Sequence, residues 1–121
     1  SVKKIIIVDD SESYRSRIKR ELESNSYAVV EAINGEDGVK VCKQNPDADA
    51  ILVDMNMPGM DGLRMISILR QEDDLQKVPI LIVTTESSAE QKNHAKELGV
   101  IAWIQKPISG RALVKTLNKL L

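Results

Sequence analysis

Apolar positions along the chain fall into two patterns that alternate. Short, nearly continuous apolar runs occur at residues 5–8, 50–53, 80–83 and 102–104, the last followed by Gln105. Runs of that length suit strands buried on both faces of a parallel sheet. A fifth segment, residues 27–32, is interrupted by Glu31 and predicts an edge strand.

Between the runs lie helical periodicities with start signals. Tyr14, Ile18 and Leu22 recur every fourth residue and make one apolar stripe. A second helix opens at Asn34, with Asp37 three residues on and Val39, Val41 and Cys42 following. Leu63, Ile66 and Leu69 face one way after Gly62. Ser87 with Glu90 has capping-box spacing for a fourth helix, residues 89–98. Ser109 after Pro107 can cap a fifth, where Leu113, Leu117 and Leu120 form the expected buried face. The fourth is the least apolar: Gln91, Lys92, Asn93, His94 and Lys96 leave little to bury, which predicts loose anchoring.

Strands alternating with helices imply right-handed crossovers. The expected fold is therefore a doubly wound (βα)5 sandwich, with a five-stranded parallel sheet and helices on both faces. A length of 121 residues predicts one domain, 1–121, large enough to bury a core without staples. Phe is absent and aromatic residues are 2%, so the core must be aliphatic. Lys and Arg total 17 against 18 Asp and Glu, with no long run of one sign, which argues against a nucleic-acid or membrane surface. A single Cys, Cys42, cannot form an internal disulfide and reads as a small core hydrophobe. The apolar run near the N-terminus is too short for a signal peptide, so a cytoplasmic protein is expected.

In open α/β sheets, ligands bind outside the carboxyl ends of the strands, which makes the polar residues after each run informative. Strand one ends in Asp9 and Asp10, strand three in Asp54, strand four in Thr84 and Thr85, and strand five leads to Lys106 and Pro107. Parallel strands bring all of these to one edge. Singly, each has a plain reading: a helix cap, turn chemistry, a strand-end hydroxyl, a solvated charge. Their conjunction is what points to chemistry. Three gathered carboxylates repel one another unless a cation is present. An oxygen-only ligand set without His or Cys favours Mg²⁺. With Lys106 and the Thr84 hydroxyl nearby, the set forms a clamp for a transferring phosphoryl group, and Asp54, on the expected central strand, is placed to be its nucleophile.

These residues resemble the receiver domains of two-component response regulators over the whole chain, within the flavodoxin-like, CheY-like class of folds. The matching pieces are 8-VDDS-11, 53-VDMNMPGMDG-62, 83-VTTE-86 and Lys106-Pro107. The resemblance implies that Asp54 accepts phosphoryl from a kinase phosphohistidine and that Asp10, Asp54 and the Asn56 backbone carbonyl bind Mg²⁺, with Asp9 helping through water. It implies that Thr84 and Lys106 hydrogen-bond the bound phosphoryl, and that the bond between Lys106 and Pro107 is cis. Trp103 occupies the position of an aromatic that changes rotamer with the Thr, although receivers more often carry Tyr or Phe there. Asn56 and Glu86 resemble the pair that tunes phosphoryl lifetime in single-domain chemotaxis receivers, which bind the flagellar motor switch.

Implied partners are a sensor histidine kinase or histidine phosphotransfer domain and a downstream protein. The output face, helix four through helix five, carries Lys92, Lys96, Trp103 and Arg111, which suits a protein partner or a dimer formed on phosphorylation. The chain is expected to be a phosphoacceptor signalling domain rather than an enzyme, either free-standing or cut from a longer transcriptional or enzymatic regulator. A rival from another class is a phosphatase of the haloacid dehalogenase type. It places nucleophile and acid two residues apart, whereas Asp9 and Asp10 are adjacent and should point to opposite sides of a strand. A flavin- or nucleotide-binding module is disfavoured by the acidic first loop, residues 9–13, where a phosphate needs glycines and N–H groups. His94, the only His, reads as a solvated surface residue.

Overall fold

A computed structural model describes all residues, Ser1–Leu121. Five strands alternate with five α-helices: β1 (Lys3–Val8), α1 (Glu12–Glu23), β2 (Tyr27–Ala32), α2 (Gly35–Gln44), β3 (Ala50–Val53), α3 (Gly62–Leu69), β4 (Ile80–Thr84), α4 (Ala89–Glu97), β5 (Ala102–Gln105) and α5 (Gly110–Leu120), with a short 3₁₀ turn at Asp73–Leu75. All strand pairs are parallel and the order across the sheet is β2-β1-β3-β4-β5. The expected doubly wound sandwich is thus the observed one, and β3 is central.

Alternation along each strand divides the core into two layers. Ile6, Val8, Ile51, Val53, Ile80 and Ile82 face one side, where they meet Cys42 of α2, Met65, Ile66 and Leu69 of α3, and Ala95 of α4. Ile5, Ile7, Leu52, Leu81 and Val83 face the other, against Ile18 and Leu22 of α1 and Leu113, Val114 and Leu117 of α5. Both layers are almost wholly aliphatic, as the composition requires.

Side-chain oxygens start every helix. Ser11, Asn34, Asp61, Ser88 and Ser109 accept from the backbone N–H three residues on, at 2.8–3.3 Å. The fourth cap corrects the expected Ser87. The sequence holds two overlapping frames, Ser87 with Glu90 and Ser88 with Gln91, and the backbone stays extended through Ser88 before the helix begins. The expected buried face of α5 is also corrected. Leu120 is 43% exposed, while Val114 is buried and Leu121 completes the stripe at the last turn. Finally, β5 lies at the sheet edge and is only half-buried, unlike the fully buried β3 and β4.

Two glycines meet backbone demands near the strand ends. Gly59 turns with φ +80 in the β3–α3 loop. Gly62, the first residue of α3, lies so close to β3 that a Cβ there would stand 2.6 Å from the Asp54 carbonyl oxygen. That approach seats α3 directly against the base of Asp54.

Candidate functional site

Register builds the site. Val8 pairs with Val53, so β1 and β3 end at the same level, and the residues that follow, Asp9 and Asp54, emerge side by side. The Asp54 N–H donates to the Val8 carbonyl at 3.0 Å, and the Asp9 N–H to the Ala32 carbonyl of β2 at 3.2 Å. Both side chains are buried while Asp10 is exposed. One carboxylate oxygen from each of Asp9, Asp10 and Asp54 lies within 4.8 Å of the others, a cluster able to hold a metal ion. The expectation that Asp9 and Asp10 point to opposite sides is therefore corrected. Both lie past the last residue of β1, where the strand's alternation no longer governs direction.

Each buried carboxylate divides its oxygens between its own loop and Lys106. Asp9 Oδ1 accepts from the Ser11 N–H at 2.9 Å and Oδ2 from Lys106 Nζ at 2.8 Å. Asp54 Oδ1 accepts from the Asn56 N–H at 3.2 Å, while Oδ2 lies 3.3 Å from the same ammonium. Uncompensated burial of two like charges would be strongly unfavourable, and Lys106 bridges them. Lys106 is itself fixed through its N–H, which donates to the Thr84 carbonyl at 2.7 Å, and its bond to Pro107 is cis, as expected.

Beyond the carboxylates, the end of β4 supplies hydroxyls. Thr84 is fully buried, and its Oγ1 accepts from the Glu86 N–H at 3.3 Å. Asn56 and Thr85 are exposed, with Asn56 Nδ2 donating to Thr85 Oγ1 at 3.5 Å, the long limit of such a bond. Trp103 is half-buried on the α4 side of β5, and its indole N–H donates to the Glu86 carbonyl at 3.0 Å. Glu86 is thus held at its amide by Thr84 and at its carbonyl by Trp103.

The structure adds two residues that periodicity hid. Tyr14 counted only as an apolar position of the first helix, yet its ring lies under Lys106, with Nζ 3.9 Å from the centroid. Arg15 is buried and donates from Nη1 to the Asp9 carbonyl at 2.7 Å, while its Nε bonds Glu31 at 3.1 Å. Glu31, the polar interruption of β2, is the counter-charge that lets Arg15 brace the acidic turn. Neither contact has a signal in spacing, because the partners are 16 or more residues apart or meet only through packing.

His94 is exposed on α4 and Cys42 is buried in α2, both away from the acidic cluster. Burial pushes the Cys42 thiol up to about 12, which suits an inert core residue. No helix is long and apolar enough to cross a membrane.

Comparison with known proteins agrees with this geometry. The response regulator receiver domain family matches residues 5–118. Protein PilH of Pseudomonas aeruginosa is 33% identical over 118 residues, covering 98% of this chain and 97% of that one. Chemotaxis protein CheY-3 of Vibrio cholerae is 34% identical over 118 residues, covering 97% and 90%. A segment amounting to 14% of the sensor histidine kinase CheAY of Helicobacter pylori is 31% identical over 116 residues, 95% of this chain. Among solved structures, Vibrio cholerae chemotaxis protein CheY4 superposes with a TM-score of 0.93 at 33% identity, with both chains covered in full. Receiver domains are signalling domains rather than conventional enzymes, and on its family match, its fold and its acidic cluster the chain belongs to the response regulator receiver domain family.

Proposed function

We propose that this chain is the phosphorylation-dependent switch of a two-component system, with Asp54 as the phosphoacceptor. The observation that carries this reading is the shared position of Asp9, Asp54 and Lys106: two buried carboxylates and one ammonium, all within 3.3 Å contacts at the carboxyl edge of the sheet. The donor set fits Mg²⁺, with carboxylates of Asp10 and Asp54 and the Asn56 backbone carbonyl as ligands and Asp9 acting through water. When bound, the ion would neutralise the charge of the carboxylates and of the incoming phosphoryl group.

The transfer itself is a displacement at phosphorus. A carboxylate oxygen of Asp54 forms the new P–O bond while the P–N bond of a phosphohistidine breaks, leaving imidazole and an acyl phosphate. Lys106 donates to a phosphoryl oxygen from the place where it now meets Asp54. Thr84 supplies a second donor, because its hydroxyl can give its proton to the phosphoryl group. Hydrolysis by water reverses the modification, and Asn56 and Glu86, at the mouth of the site, set its rate.

Switching follows from the bonds around Glu86. Turning Thr84 toward a phosphoryl oxygen removes the acceptor of the Glu86 N–H, and the Trp103 indole transmits the loop's shift to β5 and the face of α4. This biases an element already weakly held. A histidine kinase or phosphotransfer domain is the donor, supported by the kinase that carries a segment similar to this chain. A downstream protein reads the face from α4 to α5, and the chemotaxis names of the relatives favour a motor-type target.

Intact mass after incubation with Mg²⁺ and acetyl phosphate tests the reading. One acid-stable, base-labile adduct that requires Mg²⁺ and is absent from Asp54→Asn is expected. An adduct that persists in Asp54→Asn on the same peptide would move the acceptor elsewhere. Lys106→Ala should still accept phosphoryl, at least about tenfold more slowly, but fail to switch, so normal fluorescence change of Trp103 in that variant would count against its role.

A further inference from the structure

The least explained group at the site is Tyr14. Its hydroxyl is buried and has no hydrogen-bond partner, so the phenol oxygen gains nothing from its surroundings. The ring, in contrast, has a close partner: Lys106 Nζ lies 3.9 Å from its centroid, within the range of a cation–π contact. The Arg17 guanidinium lies 5.5 Å from the same ring but is exposed to solvent. Lys106 is the more desolvated of the two, its side chain only 16% exposed, and such contacts strengthen as water is removed. Burial, followed by the charges of Asp9 and Asp54 and opposed by Arg17, pushes the phenol up to about 12. The ring stays neutral beside the carboxylates and attracts the ammonium through its π face alone.

The other partners of Lys106 are Asp9 and Asp54. Those are carboxylates that a bound cation would share, and each share weakens their hold on the ammonium. The ring is the one partner for which a metal ion does not compete. We propose that Tyr14 is a positioning residue of the phosphoacceptor site, its ring face keeping the Lys106 ammonium beside Asp54 when a divalent cation draws on the carboxylates. The proposal rests on Asp54 being the acceptor. Tyr14 touches no reacting atom and acts only through Lys106.

The test compares wild type with Tyr14→Leu and Tyr14→Phe, following phosphorylation by acetyl phosphate with intact mass and Mg²⁺ affinity by calorimetry. Tyr14→Leu should slow phosphorylation about tenfold while Mg²⁺ affinity stays within about twofold. Tyr14→Phe, which keeps the ring and discards the orphan hydroxyl, should restore the wild-type rate. A Leu variant as fast as wild type overturns the proposal, and so does a Phe variant as slow as Leu, which would assign the effect to the hydroxyl. Parallel loss of rate and of Mg²⁺ affinity in Tyr14→Leu would mark a merely structural residue and also overturn it. Should Tyr14→Leu not fold, the wild-type protein supplies the decision by NMR. The ε-methylene protons of Lys106 should be shifted upfield by the ring both before and after Mg²⁺ is added, and their return to ordinary lysine positions on adding Mg²⁺ overturns the proposal. A wild-type chain that takes no phosphoryl group counts against Asp54 as acceptor, leaving the Lys106 shift to judge Tyr14 separately.

Discussion

Helices α4 and α5 flank β5 on opposite faces of the sheet, and they are anchored very differently. α5 buries Leu113, Val114 and Leu117 in the aliphatic layer it shares with α1. α4 buries Ala95 alone, and the rest of its nine residues are polar apart from Ala89, which is exposed. Burying a Val or Leu side chain stabilises by roughly 1.5–3 kcal/mol, whereas the single methyl of Ala95 contributes about 0.8 kcal/mol. Several kcal/mol therefore separate two elements of similar length at the same edge. The weakly held one follows the loop that contains Glu86, the residue tied to both Thr84 and Trp103. On the proposed reading, in which the fold responds to a small change at Asp54, the core stays fixed through α5 and α4 moves at little cost.

Removing one anchor of α5 should have the largest effect. Leu117→Ala is expected to destabilise the chain by about 2–5 kcal/mol in urea unfolding. A loss below about 1 kcal/mol would mean that α5 is not the firmer element. Native-state hydrogen exchange then compares the two helices directly: amides of α4 should exchange at least about tenfold faster than those of α5, a gap of roughly 1.4 kcal/mol in opening free energy. Equal protection would remove the comparison altogether.

A smaller effect separates the core behind α4 from α4 itself. Cys42 shares a layer with Ala95 but sits on α2. An unfolded thiol ionises near its ordinary 9.0, whereas the folded one is held neutral up to about 12. Stability from this source is intact well below pH 9 and falls as pH rises toward 12, by roughly 1.4 kcal/mol between about pH 8 and pH 10. Tyr14, also raised to about 12, adds a loss of the same sign at higher pH. Cys42→Ala should flatten the first part of that decline; an unchanged slope would show that other groups cause it. The smallest effect is expected at the α4 cap. Ser88→Ala should speed exchange in the first turns of α4 yet shift the global urea midpoint by no more than about 0.5 kcal/mol, because α4 adds little to the whole. Ser87→Ala should do neither, and the reverse result would restore the cap to Ser87.

Much of this arrangement is legible from spacing. The apolar runs located all five strands to within two residues at each end, because a strand buried on both faces leaves few alternatives. The weak burial of α4 was visible in its composition. Asp9, Asp10, Asp54, Thr84 and Lys106 were readable as a group because parallel strands deliver their carboxyl ends to one edge. Spacing is ambiguous where two local readings are equally good or where a helix outruns its support. Two overlapping cap frames hid Ser88, and the last turn of α5 exchanges Leu120 for Leu121 as it passes the end of the aliphatic layer.

The sequence by itself determined the order of elements, the parallel sheet and the set of groups that gather at its edge, since periodicity and strand-end chemistry are local. Only the tertiary structure decided which oxygen meets which nitrogen. Lys106 bridges Asp9 and Asp54 across 97 and 52 residues, Arg15 clasps the Asp9 carbonyl, Trp103 ties to Glu86, and the Tyr14 ring closes under the ammonium. Those contacts depend on strand register and on how α1 lies against the sheet. Such distances are fixed by the packing of the whole aliphatic core rather than by any stretch of neighbouring residues.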